Sequence, residues 1–489
     1  MAENPLPLDK VDPSEAWQPW EPDAKQPWNL KWAGHLYRRA AFGAPLDRLR
    51  EAVSRGLPAT LEQLLHGEPD SEERLRFLEA TGEKIAGQNN PYQLRGWWLY
   101  VMLHSGHPLR EKMTLFWHNH FATSIAKVRW PQLMFKQNRL LRRHALGKFE
   151  PFLQAISKDP AMLKWLDSNS NVAGKPNENY ARELMELFSL GVGNYTETDI
   201  REAARAFTGW HTTSEDASAE FAFNPRFHDT GAKTIFGKTG NWNGDDVVRL
   251  CLEKPAAARF IARKLYHFFI SENAAPPDAL LEPLADAFRQ SDYDIAVLVR
   301  RMLGSRHFFS VYAYRQRIKS PVEFVLGAAH DVLALVGPNP NLRQQILSPE
   351  SLVGRVDALG QQLFAPPNVK GWIHGRAWLN TTTVLARHNF AQALTAGSGR
   401  INLEQPPEQA PAVAPAPDPA AAIRRENLTD PVKIVALLAD VLLQGDIPAP
   451  ARARLVAFLQ EGKPEGNALD QRVRETVHAI MTMPEYQLA

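Results

Sequence analysis

The chain has 489 residues, 44% of them hydrophobic and 22% charged, which is enough to bury a sizeable core in more than one subdomain. Lysine and arginine number 56 against 54 acidic residues, and a net charge of +2 gives no electrostatic footing for a polyanion, so no nucleic acid is expected as a partner. The single cysteine, Cys251, excludes internal disulfides and multi-cysteine zinc or iron–sulfur centres, and in the apolar run VVRLCLE it reads as buried and inert.

Residues 1–28 are rich in proline, tryptophan and acids without helical period, and read as an extended arm whose aromatic side chains dock on the body. There is no basic stretch followed by an apolar core and no run of about 18 apolar residues, so neither a signal nor a membrane span is expected. The expected location is the cytoplasm, with export on a signal-bearing partner as the alternative. From 29 to 400, helical patterns alternate with short Gly/Pro/Asn turns and strand alternation is scarce, which predicts a main helical body. Residues 401–426 contain QPPEQAPAVAPAPDPAAA, a Pro/Ala-rich linker without the means to pack. Residues 427–489 carry helical periodicity in VKIVALLADVLL and RARLVAFL. A piece of this size folds only marginally alone and is expected to pack back on the body. The predicted fold class is therefore mainly α, a multi-helical single body with a linker and a returning C-terminal helical segment.

Within the body, WHNHF brings His118 and His120 together. On a helix beginning at Pro108, Leu109, Met113, Phe116, Trp117 and His120 share one face, and His118 points about 160° away. Both rings reach one metal only where the helix frays at Asn119 or the segment is extended. Two readings stand, His118 and His120 as metal ligands or His120 as a hydrogen-bonded core histidine. NRLLRRHALGK sets Arg139, Arg142 and Arg143 on neighbouring helical positions, either a basic patch or an ion-paired face.

Lys175 to Trp210 holds six carboxylates and three arginines. Tyr180, Leu184, Leu187 and Phe188 form one helical face that Gly191 and Gly193 end. Glu178, Arg182 and Glu186 read as surface pairs. Asn179 and Glu183 lie along the margin of the buried face, where an unpaired carboxylate is costly and its pKa rises. Thr196 and Asp199 predict a capping box for a second helix running to Gly209. In the loop FHDTGAKTIFG, His228 and Asp229 supply either a metal ligand or acid–base pair, or an Asx-turn beside a surface ring. In PPNVKGWIHGRAWLNTTTVLARHNF, Lys370 and Arg376 precede a capped helix starting near Asn380, an arrangement suited to an anion. Trp372 and Trp378 there serve either to stack on a ring or to anchor a rigid corner. No phosphate-loop, G-x-S-x-G or H-E-x-x-H motif occurs.

The motif PNENYARELMELFSLG followed by YTETDIREAARAFTGW closely resembles the bacterial family known as domain of unknown function 1800. HLYRRAAFG at 35–43, REKMTLFWHNHF at 110–121, FHDTGAKTIFG at 227–237 and the tryptophan segment at 366–390 carry the same resemblance. It implies no activity. The family's frequent neighbours, exported proteins resembling the alkaline phosphatase and sulfatase superfamily, imply a partner of that kind.

Two functions follow. The first is a helical enzyme, a metal-assisted hydrolase or a polymer-modifying enzyme acting on carbohydrate, with Glu183, His120, His228 and Asp229 as acid–base groups. Asn179, Arg182, Lys370, Trp372, Arg376 and Asn380 would then hold substrate, and His118, His120 and His228 a divalent metal. It predicts an open pocket where these segments meet. The second is a non-catalytic scaffold or maturation partner, which predicts closed, mutually satisfied polar contacts.

Overall fold

A computed structural model describes residues 7–273, 275–337, 349–396 and 417–489. It is mainly α, 63% helix and 4% strand. The strands form two small antiparallel hairpins, Trp210–Thr212 with Phe221–Phe223 and Lys233–Ile235 with Lys238–Gly240. Several helix starts share one local device. At Asn90-Pro91, Asp159-Pro160, Ser320-Pro321 and Asp430-Pro431, the first side chain accepts a first-turn N–H while proline fills a position whose own N–H has no partner to lose.

Two apolar cores result. The first gathers Trp117, Phe121, Phe152, Phe188, Ile261 and Leu298, and the second Trp98, Leu133, Phe324, Val356, Val473 and Ile480. The Pro108–His120 helix belongs to both, giving Met113, Phe116 and Trp117 to the first and Leu115 to the second. Such a helix has no solvated face for its charged residues, so each finds a partner. Glu111 and Arg142, both buried, meet in a two-pronged pair of 2.7 and 3.0 Å. Lys112 pairs with Glu323 and donates to the Ala41 carbonyl at 2.8 Å. Arg139 pairs with Glu79 at 3.2 Å, so of the three arginines at 139, 142 and 143 two are ion-paired, and Arg143 is exposed. Arg38 and Arg39, inside HLYRRAAFG, donate to Gln444 and to the Ala313 carbonyl.

Trp17 donates its indole N–H to the Leu280 carbonyl at 2.6 Å, and Trp20 stacks on Phe309 at 4.3 Å. Of the 401–426 segment, residues 401–416 lie outside the described residues; beyond them the chain is helical at Ala421–Arg425, with Asp418 accepting from Arg424 and Arg474. The helices Pro431–Leu443 and Gly466–Thr482 pack back through the second core. Tyr486 closes this contact by donating to Asp331 at 2.7 Å. No helix of the described residues is long and apolar enough to cross a membrane.

Candidate functional site

Because residues two apart on a helix face opposite ways, the Pro108–His120 helix sends its two histidines into different surroundings. The His118 ring packs among Trp98, Phe364 and Trp372, and its Nε2 accepts the Phe364 N–H at 3.1 Å. His120 packs among Phe116, Trp117, Phe121 and Phe188. Burial pushes both rings down to about 3, so both are neutral at neutral pH.

His120 is held by the segment opposite it. Asn179–Glu183 is α-helical, but Leu184–Ser189 widens into a π-helix before Gly191, whose φ of +80° places its missing Cβ 2.8 Å from the Phe260 ring. The widened turn presents the Phe188 carbonyl to His120 Nε2 at 3.0 Å.

A cavity of about 270 Å³ opens beside His120. Three elements complete its lining: the Pro255–Phe269 helix with its following turn (Lys264, His267, Phe268, Glu272), Arg317, and the 370–375 loop (Lys370, Trp372, His374). The loop is clamped by Asn119, whose Oδ1 accepts the Trp372 N–H at 2.7 Å while its Nδ2 meets His374 Nε2 at 2.7 Å. Gly371 permits this approach, since a Cβ there would lie 2.2 Å from Asn119 Oδ1. Arg317 donates to Glu272 Oε1 through Nε and Nη2, each at 3.2 Å, and its Nη1 donates to Glu323 at 3.3 Å.

These partners assign the tautomers. A carbonyl only accepts, so His120 Nε2 and His267 Nδ1, which lies 3.0 Å from the Ser271 carbonyl, carry the protons. The neutral rings therefore offer bare His120 Nδ1 and His267 Nε2. Asn119 spends its oxygen on Trp372, so its amide donates to His374 Nε2 and leaves His374 Nδ1–H as a donor. His120 Nδ1 and Glu272 Oε2 are buried with no partner among the described residues. Lys264 pairs with no carboxylate among the described residues; its ammonium lies over the Phe260 ring at 5.3 Å. Burial lowers the proton affinity of Lys264. Burial also lowers that of His267 and His374, to which nearby Lys264 adds. His374 itself remains open to solvent.

Of the expected site residues, the structure brings His120, Lys370 and Trp372 to this cavity. Glu183 is not in the lining, but it is near enough to Lys370, which is, to feel its charge. Its carboxyl is half-buried and raised by burial and by Glu186, with Lys370 pulling the other way. The remaining residues go elsewhere. His228 and Asp229 do not line the cavity: Asp229 takes Arg205 at 2.8 Å and caps Gly231 N–H at 2.8 Å, while His228 Nδ1 sits on the Thr208 carbonyl at 2.8 Å. That is the Asx-turn, and the Arg205 guanidinium holds Asp229 below the usual carboxylate range. Arg182 is taken by Glu178 and Glu197 at 2.9 and 2.8 Å, and Asn179 is an exposed first-turn residue. Asn380 is a helix cap, accepting Thr383 N–H at 3.0 Å. Arg376 is exposed beside the clamped loop, and Trp378 is the buried corner. His118, His120 and His228 do not converge, and among the described residues no three His, Cys, Asp or Glu side chains are placed to hold a metal. Cys251 is buried, its thiol pushed up to about 12.

Lys264, His267, Glu272, Arg317, Asn119 and His374 were not anticipated. Asn119 and His374 stand inside two of the quoted motifs, between residues that were singled out. Lys264 and His267 are three apart on one helix, a spacing that signals a shared face and nothing about its chemistry.

No curated protein and no solved structure matches this chain. A family model does, over residues 35–488, nearly the whole length. The chain belongs to the family described as protein of unknown function, DUF1800.

Proposed function

We propose that this cavity is the active site of a hydrolytic enzyme working by general acid–base catalysis. The observation that carries the reading is the convergence on one cavity of three histidines of assigned tautomer, with a carboxylate that keeps one free oxygen and a lysine that has no acidic partner among the described residues. In this reading a water on His267 Nε2 gives its proton to the ring as its oxygen attacks the substrate. Lys264 and His374 Nδ1–H then face the oxygen on which negative charge develops, and Glu183, whose carboxyl burial raises, is the group that gives a proton to the departing oxygen. The low proton affinity of His267 keeps it a free base at neutral pH.

A panel of ester, glycoside and phosphoester substrates tests this. The His267→Gln variant is expected to lose about 100-fold or more in kcat while melting as the parent does, with smaller losses for His120→Ala and Glu183→Gln. Absence of turnover across the panel, or turnover indifferent to all three substitutions, would overturn it.

The second reading, a scaffold or maturation partner for a phosphatase- or sulfatase-like protein, draws support from the buried pairs Glu111–Arg142 and Lys112–Glu323–Arg317–Glu272, which lock helices together. It predicts that such a partner co-purifies with the chain and that the three cavity variants leave the complex unchanged.

A further inference from the structure

The cavity has two unmet demands of opposite kind. The first is for negative charge. Arg317 is committed to Glu272 and Glu323, which leaves the partly buried Lys264 as the cavity cation that pairs with no carboxylate among the described residues; Lys370, also in the lining, is exposed and near enough to Glu183 to act on it. Lys264 stands close enough to His120, His267 and His374 to act on all three rings, so its charge bears on the middle of the lining. An ammonium withdrawn from water without a counter-charge is costly, and a ligand anion would offset that cost.

The second demand is for hydrogen-bond donors. His120 Nδ1, His267 Nε2 and Glu272 Oε2 are all lone-pair acceptors, and the first and third are buried with nothing to accept from. The Glu272 side chain is 9% exposed, so bulk water does not easily serve it. A simple carboxylate would answer Lys264 and leave the acceptors orphaned, a free phosphate has too few O–H groups to serve all three, and a neutral polyol would answer the acceptors alone. The remaining wall is aromatic, with Phe116, Phe268 and Trp372 offering surface to the C–H face of a ring. At about 270 Å³ the space is smaller than drug-sized sites and suits one small ring.

We infer that the ligand is a small polyhydroxylated anion, a single sugar ring bearing a carboxylate or a phosphate, with its anionic group toward Lys264 and Lys370 and its hydroxyls donating to His120, His267 and Glu272. This rests on the cavity being the substrate site proposed above.

Isothermal titration of the full chain with glucuronate, glucose 6-phosphate, glucose, acetate and inorganic phosphate tests it. One of the two sugar anions binds at least ten-fold more tightly than glucose, acetate or phosphate, and which one identifies the anionic group. Lys264→Gln weakens that binding ten-fold or more, Lys264→Arg largely retains it, and His267→Phe weakens it through the hydroxyls. Lys370→Gln provides a second cation variant should Lys264→Gln melt early. Equal binding of glucose, equal binding of inorganic phosphate, or affinity indifferent to every variant overturns the inference. The two proposals fail separately. A sugar anion that binds as described, with no turnover of any glycoside, ester or phosphoester, sinks the hydrolase and leaves the ligand class standing. Turnover of neutral substrates untouched by Lys264→Gln sinks the ligand class and leaves the hydrolase.

Discussion

At the scale of single residues, protonation in this protein is governed by burial more than by neighbouring charge. His118 and His120 are each pushed down to about 3, well below the ordinary 6.5. The unfolded chain therefore binds protons there that the native chain refuses, and stability is lost as pH falls from about 6.5 toward 3. Asp159 slopes the other way. Burial raises its carboxyl to about 7, against hydrogen bonds from Met162 N–H at 2.9 Å and Gln137 at 2.8 Å, both on Oδ2. The native state holds a proton that the unfolded state has released, so Asp159 costs stability progressively from about pH 4 to 7. One amide oxygen can accept both bonds, and asparagine caps helices as well as aspartate. Asp159→Asn is thus expected to gain stability relative to the parent as pH rises from 5 to 8, read by urea unfolding at both values; a difference independent of pH would refute the assignment. Chemistry of this kind was partly legible in the sequence. His120, Lys370 and Trp372 sat in segments whose residue types stood out. Lys264 and His267 did not, because a helix that buries Ile261, Leu265 and Phe269 reads as ordinary amphipathic packing.

At the scale of elements, capping and periodicity were legible and close approach was not. The Thr196–Asp199 box forms as its spacing dictates, and the helix it opens, Glu197–Ala206, stops short of Gly209, which instead turns the chain into the first strand at φ +84°. The π-helix at Leu184–Ser189 has no signature in its residues, since the apolar spacing that announces an α-helix survives a change of hydrogen-bond register. The clamp of Asn119 on the 370–375 loop was equally hidden, being a contact between segments some 250 residues apart. It yields a prediction at this scale. Gly371→Ala places a Cβ into Asn119 at a φ of +79°, and should cost about 1–3 kcal/mol while releasing Trp372 and His374 from register. Loss of near-ultraviolet circular dichroism with far-ultraviolet signal kept would show this; an unchanged melting curve and spectrum would contradict it.

At the scale of the whole molecule, the mainly α class and the return of the C-terminal helices followed from composition and periodicity, whereas the division into two cores arose from one helix with no solvated side. Glu111 on that helix is matched by Arg142 alone in a dry interior. Glu111→Ala leaves the buried guanidinium with only the longer contact to Glu79 at 3.9 Å and is expected to cost about 3–5 kcal/mol, measured by chemical denaturation. A loss below 1 kcal/mol would mean that water reaches the pair. The position of the Pro108–His120 helix has one more consequence, which concerns time rather than energy. Amides shared by both cores exchange with deuterium only when both open, so those of Met113 to Trp117 should be among the slowest in the protein, close to the rate of global unfolding. The helix that gives Leu115, Phe116, Asn119 and His120 to the cavity lining is then its least yielding wall.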